Sequence, residues 1–335
     1  MAANIIVVGG GQAALSLMVK LRGLGYQDKI TLIGDEPHLP YQRPPLSKKY
    51  LAGDMPKDRL LLRQATWYEK NRIDLHLDNC VIAIDRPQKQ IRLETGAKLG
   101  YDMLALTTGA RPRRLPPEIG GDLPGVYLMR DLADADALKE VMAEGQRLLV
   151  VGGGYIGLEA AAEASKKGLD VTLIEMADRL LQRVASKETS DYFRDLHQQH
   201  GVTIREGLGL AGLAPGKTAL IDATLSDGSG QAFDLVIVGI GIHPNSELAR
   251  DAGLDIELDA IAVDTTGRTS DPAIFAAGDC AAFPLKGQFI QLESVQNATD
   301  QATLVAANML GENQTYEPDA WFWSDQYDVK LQIAG

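Results

Sequence analysis

Two sets of glycines, each with a carboxylate downstream, are the residues of this chain whose types and spacing can do chemistry. The first set is Gly9, Gly10 and Gly11, followed by Ala14; the second is Gly152, Gly153 and Gly154, followed by Gly157. In a strand–turn–helix, the first glycine permits a tight turn and the second lets the backbone approach a pyrophosphate above the helix N-terminus. The third position packs helix against strand. Gly9, Gly11 and Ala14 fill these places once, with alanine last. Gly152, Gly154 and Gly157 fill them again in strict spacing, with Ile156 inside the motif. About two dozen residues beyond each first glycine stands an acid suited to the hydroxyls of a ribose. It is Asp35, with Glu36 in reserve, in the first unit and Glu175 in the second. Glu175 would repel a 2′-phosphate and select NAD over NADP, although Arg179 and Arg183 could accommodate that phosphate. Such a pair of sites implies a chain that holds two dinucleotides at once and passes electrons between them.

The elements that must position these residues alternate. Ile5–Val8 is a β-branched run suited to a buried parallel strand. Ala13–Leu24 has helical spacing with Gly25 to close it, and Lys29–Ile33 is a second strand. Asp35–Ser47, rich in proline and polar groups, is expected to be a loop. The plan then repeats. Asp131 is a fitting N-cap for a helix over Leu132–Ala143, with Gly145 beyond its end. Strand Leu148–Val151, helix Tyr155–Lys167 and strand Val171–Glu175 follow. A helical pattern over Glu188–His200 leads to strand Val202–Arg205. This alternation predicts doubly wound parallel sheets. The run Asp102-Met-Leu-Ala-Leu-Thr-Thr-Gly-Ala-Arg-Pro is echoed by Asp234-Leu-Val-Ile-Val-Gly-Ile-Gly-Ile-His-Pro, as if a whole dinucleotide-binding domain were duplicated and one copy inserted in the other. Val329, Leu331 and Ile333 alternate with polar residues like a strand, and a strand needs partners.

Composition narrows the function classes. Hydrophobic residues at 45% and charged residues at 23% describe a globular chain with a sizeable core. No apolar run is long enough to span a membrane, and no signal segment precedes the first strand, so a cytoplasmic location is expected. A net charge of −12 argues against nucleic acid as a partner. Cys80 and Cys280 are the only cysteines and lie far apart, which disfavours a disulfide framework, a cysteine metal cluster or any metal site built on them. Arg43–Arg72 is locally basic. It holds Arg43, Lys48, Lys49, Lys57, Arg59, Arg63, Lys70 and Arg72 against Asp54, Asp58 and Glu69. A solvated face explains such a run as readily as a docking rim for an acidic partner does.

Three segments carry a family resemblance. Leu39-Pro-Tyr-Gln-Arg43-Pro44-Pro45-Leu46-Ser47-Lys48, Ala277-Gly278-Asp279 and Trp321-Phe-Trp323-Ser-Asp-Gln together resemble the FAD-dependent NADH:ferredoxin reductases of bacterial Rieske dioxygenase and cytochrome P450 systems. The resemblance spans essentially the whole chain. It implies an α/β fold of two Rossmann-like domains, one inserted in the other, as in glutathione reductase. Residues 1–113 and 246–320 would form the FAD domain, 114–245 the NAD domain, and 321–335 the start of a truncated C-terminal α+β domain. It further implies flavin contacts by Arg43, Lys48, Thr108, Gly109, Asp279 and Val295, with Trp321 or Trp323 covering the isoalloxazine. Lys48 would stand near the reactive flavin edge. Glu159, just after Gly157, would meet either the nicotinamide end of NADH or a lysine near the flavin. The implied reaction takes hydride from NADH onto FAD and passes single electrons to an acidic iron–sulfur ferredoxin, from a monomer or weak homodimer. A flavin NADH oxidase and a non-catalytic FAD/NAD-binding interaction protein are the alternatives. Disulfide reductases of this fold need a redox cysteine pair, and the chain has none to offer.

Overall fold

The computed structural model describes residues 4–334. In chain order, strand β1 (Ile5–Val8) leads to helix α1 (Gln12–Gly23) and strand β2 (Ile30–Ile33), then β3 (Ile73–His76) and β4 (Met103–Leu106). A second series follows: β5 (Val126–Tyr127), α2 (Leu132–Val141), β6 (Arg147–Val151), α3 (Tyr155–Lys166), β7 (Asp170–Glu175), α4 (Lys187–Gln199), β8 (Thr203–Glu206) and β9 (Leu235–Val238). The chain then returns through β10 (Ile274–Ala276) and helix α5 (Val295–Met309) to a hairpin, β11 (Trp321–Gln326) and β12 (Val329–Ala334).

The strands assemble into two parallel sheets of the same plan. One has the order β10-β4-β1-β2-β3 and the other β8-β7-β6-β9-β5. β10 joins the first sheet only after the second is complete, so one doubly wound unit is inserted in the other. The central strands β1 and β6 are almost wholly buried, which their unbroken Ile, Leu and Val runs require. α1 packs along α5, and its Leu17, Met18 and Leu21 are fully buried in the core that the two helices share with the sheet, each worth about 1.5–3 kcal/mol of transfer free energy. The duplication extends further than the glycine turns. Each unit carries an antiparallel three-stranded meander, over Val81–Asp85, Gln90–Leu93 and Lys98–Gly100 before β4 in one and over Leu210–Pro215, Ile221–Leu225 and Gly230–Phe233 before β9 in the other. Ala110–Pro112 pairs antiparallel with Ile242–Pro244, so the two crossings between the units form one ribbon.

Local signals explain most boundaries. Asp131 caps α2 in a capping box, accepting from the Asp134 amide at 2.9 Å while Asp134 accepts from the Asp131 amide. The Asp35–Ser47 segment departs from a plain loop. A wide helical turn, Leu46–Tyr50, begins inside it. The turn closes from the Tyr50 amide to the Pro45 carbonyl at 2.9 Å, five residues back. Lys48 sits at its kink with φ −130° and ψ −117°.

The terminal hairpin pairs Trp321 with Ala334 through to Gln326 with Val329, and Val329 and Leu331 pack on the core beneath. It is fastened to α4 by a 2.8 Å hydrogen bond between His197 Nε2 and Gln326 Oε1. Burial pushes the fully buried His197 ring down to about 4. Its neighbours are His200, Tyr327 and Gln326, with Glu163 and Lys166 facing Tyr327. The unfolded chain therefore takes up a proton near pH 6.5 that the folded protein refuses until about pH 4. This group's contribution to stability is complete above pH 6.5 and falls by about 3 kcal/mol on the way to pH 4. Denaturant unfolding between those pH values should be correspondingly steeper for the native protein than for His197→Asn. Equal pH slopes would refute the assignment.

Candidate functional site

The first glycine turn is built so that only glycine serves. Gly9 has φ +105°, and a Cβ there would lie 2.3 Å from the Thr107 carbonyl oxygen. Gly11 caps α1 with open space above it, and the first turn of α1 has no acidic side chain and no side-chain cap. No side chain caps the first-turn amides of α1, as an anion site at a helix N-terminus requires. Ala14 is buried beneath. Gly10 and Gly34 approach so closely that a Cβ on Gly34 would stand 3.6 Å from the Gly10 backbone. Asp35 is exposed at the end of β2. Glu36 is engaged: it accepts from Tyr41 Oη and from Arg43 Nη2, each at 2.5 Å. Arg43 also donates to the Arg130 carbonyl at 3.1 Å, which braces the proline-rich segment against the start of α2.

Arg130 gives no sequence signal beyond preceding the Asp131 cap, yet it joins the site. Its guanidinium reaches Asp279 at 3.4 Å and stands over Gly109. Gly278, with φ +84°, turns the chain against Ala13 on α1 and so delivers Asp279 beside the Gly11 turn. Val295 begins α5, capped by Ser294. Thr108 and Gly109 lie at the ribbon between the units, held by reciprocal bonds to Asn245 at 2.6–2.9 Å.

The second turn repeats the first. Gly152 has φ +107°, and its Cβ would stand 2.4 Å from the Gly239 carbonyl oxygen. Gly154 opens α3 with free space above it, and a Cβ on Gly157 would be 2.0 Å from the Gly152 oxygen. Glu175 accepts one backbone amide on each oxygen, from Gly153 at 2.6 Å and Ala177 at 2.7 Å. That clamp fixes its orientation and leaves lone pairs for hydroxyl donors. Ile156, Met176 and Ile240 are exposed along the same edge, Met176 at 79%. Arg183 is exposed with its guanidinium near Gly241. The open space over Gly11 and Gly154, each at a helix start without a side-chain cap, fits the pyrophosphate of a dinucleotide.

A largely buried ion pair joins the kinked turn to α3. Lys48 Nζ meets Glu159 Oε2 at 2.7 Å, and Lys48 also donates to the Pro44 carbonyl at 3.2 Å. Glu159 is only 3% exposed. It further accepts from Ser47 Oγ at 2.6 Å and from Ser324 Oγ at 2.7 Å. Three distant segments thus converge on one carboxylate: the kinked turn, α3 and β11. Both serines stand inside segments that carry the family resemblance, which assigns neither of them a role. Beside them Trp321 and Trp323 stack at 5.1 Å on one side of β11, while Phe322 stacks on Tyr155 at 4.2 Å on the other. Of the basic segment, Arg43 and Lys48 are committed to these internal contacts, whereas Lys49, Lys57, Arg59, Arg63, Lys70 and Arg72 are exposed. Burial pushes the Cys280 thiol up, and Cys80 is exposed without a disulfide partner, so the pair offers no thiol redox couple.

Known proteins are similar to this chain in sequence and in fold. The chain is 44% identical over 334 residues to rhodocoxin reductase of Rhodococcus erythropolis, covering 99% of this chain and 78% of that one. It is 41% identical to the ferredoxin–NAD(+) reductase component of the anthranilate 1,2-dioxygenase system of Burkholderia cepacia, covering 98% and 81%. The reductase in the crystal structure of a covalent putidaredoxin reductase–putidaredoxin complex superposes with a TM-score of 0.95 at 39% identity, covering 99% and 81%. Residues 3–302, which span both glycine turns and the return strand β10, match one family. By duplicated architecture and by sequence, the chain belongs to the pyridine nucleotide-disulphide oxidoreductase family.

Proposed function

We propose that this chain is an FAD-dependent NADH:ferredoxin reductase serving a dioxygenase or cytochrome P450 system. The observation that carries this reading is the largely buried Lys48–Glu159 pair, in a chain with two glycine cradles and without a cysteine couple. FAD, when bound, supplies the conversion of a two-electron hydride donor into single electrons. The residues of the Gly9 turn, with Glu36, Arg43, Arg130 and Asp279 around it, would hold FAD, with Asp35 at the ribose end. Those of the Gly152 turn, with Glu175 clamped for a ribose, would hold NADH. Lys48 would place a fixed cation at the flavin edge where negative charge develops, and Glu159 would keep that cation oriented. Trp321 and Trp323 would exclude water on the exit side.

The relatives' names support a protein acceptor, and the exposed Lys49, Lys57, Arg59 and Arg63 support an acidic one. Rapid mixing with NADH should bleach the bound flavin, and reduced protein should then reduce a two-iron ferredoxin. A purified protein that neither carries nor regains FAD would end the proposal. Changing Lys57, Arg59 and Arg63 together to Glu should slow ferredoxin reduction roughly tenfold or more at low salt, with the difference shrinking as salt rises. Reduction of a small neutral dye should be spared. Equal loss with both acceptors would refute the docking role.

A further inference from the structure

Behind Glu159 runs a line of buried hydrogen bonds whose direction is set by its chemistry. A carboxylate has no proton to give, so Ser324 Oγ donates to Glu159 Oε1 at 2.7 Å. Ser324 must then accept, and Gln326 Nε2 donates to it at 3.1 Å. That leaves Gln326 Oε1 as the acceptor for His197 Nε2 at 2.8 Å, so the ring carries its proton on Nε2. Nδ1 in turn accepts from Tyr327 Oη at 3.2 Å. Ser324, Gln326 and His197 are each no more than 1% exposed. The outer end is pinned by His200, stacked on Tyr327 at 3.7 Å.

We propose that Ser324, Gln326 and His197 are positioning residues for Lys48: their one-way donor chain holds Glu159 in the rotamer that reaches the lysine and ties that rotamer to helix α4. The inference rests on the reading of Lys48 as the cation beside the flavin. Every link donates toward the same carboxylate, so each polarises the next and the whole line favours one arrangement of Glu159. An apolar cluster would fill the same space without any partner to satisfy, and three buried polar groups aligned on an ion pair are a costly substitute unless the alignment matters. The burial that keeps the His197 ring neutral also keeps one nitrogen free to accept, as the direction of the chain demands.

The test uses the FAD-loaded protein with Ser324→Ala, Gln326→Leu and the double variant. At saturating NADH, Ser324→Ala should lower the rate of flavin reduction roughly tenfold, the scale of one hydrogen bond to a charged group, with the NADH dissociation constant unchanged. The double variant should be no slower than Ser324→Ala, because both act through one chain. Independently of turnover, Lys48 should be acylated several-fold faster in Ser324→Ala, with the exposed neighbour Lys49 as internal reference by mass spectrometry. Additive losses, or an unchanged rate together with unchanged Lys48 labelling, would overturn the inference. Ser324→Ala removes one oxygen and decides the matter alone if Gln326→Leu does not fold. Native protein that fails to be reduced by NADH would instead refute the proposed function, and the labelling comparison would still judge the chain.

Discussion

Replacing Lys48 by Met should destabilise the protein by about 3 kcal/mol and slow flavin reduction by NADH at least a hundredfold. The two losses have different origins. Stability falls because Glu159, 3% exposed, is left without its cationic partner. Ser47 and Ser324 still donate to it, which places the cost near the low end of the range for a broken buried pair. The rate falls because a preorganised charge at a reacting centre contributes most where water is excluded. A second substitution separates the two effects. Lys48→Met combined with Glu159→Gln removes both charges and leaves an amide oxygen to accept a serine hydroxyl, so stability should recover most of what Lys48→Met loses. The rate should not return. Denaturant unfolding and stopped-flow absorbance measure the two quantities on the same samples. Recovery of both in the double variant would show that Lys48 has no part in the reaction.

The frame of this fold is legible because its signals are local. Ile5–Val8 and Leu148–Val151 announce buried strands by unbroken apolar character, the glycines that follow admit no other turn, and Asp131 marks its helix by the capping box it forms. The site is less legible because its partners are distant. The family resemblance offers Glu159 either the nicotinamide or a lysine near the flavin, but no spacing indicates that Ser47 and Ser324 close on the same carboxylate, since such a convergence has no sequence period. Arg130 looks like an ordinary charge ahead of a helix cap, yet the cap is what holds it at Asp279. The meanders escape a reading based on strand–helix alternation, because short antiparallel strands half-open to solvent carry weak alternation. His197 is the instructive case. α4 is so polar that its histidine passes for a surface group, but Ser190, Phe193 and His197 share one helical face and all three are buried. The period was present; only the expectation that a core face is apolar concealed it.

The two glycine turns share one geometry, so identical substitutions should separate them by function. In both Gly9→Ala and Gly152→Ala the new methyl meets a strand-end carbonyl, at 2.3 Å from Thr107 O and 2.4 Å from Gly239 O, on a backbone with φ above +100°. Left-handed backbone costs an alanine about 1–2 kcal/mol, and the overlap adds a further 1–3 kcal/mol. The turn can escape only by moving away from its strand, which spoils the amide cradle that an anion needs. Gly9→Ala should therefore yield protein that loses FAD on purification and shows no flavin absorbance. Gly152→Ala should keep the flavin, reducible by dithionite, while its affinity for NADH falls at least a hundredfold. The contrast depends on which seat holds which dinucleotide, because the strain is the same in both. Loss of flavin from the Gly152 variant with retention in the Gly9 variant would reverse the assignment. Loss from both would show that the ribbon between the units transmits the strain. The predicted outcome, one colourless variant and one yellow variant blind to NADH, would make the Gly9 turn the permanent seat and the Gly152 turn the exchangeable one, and so fix the direction in which electrons cross the Lys48–Glu159 boundary.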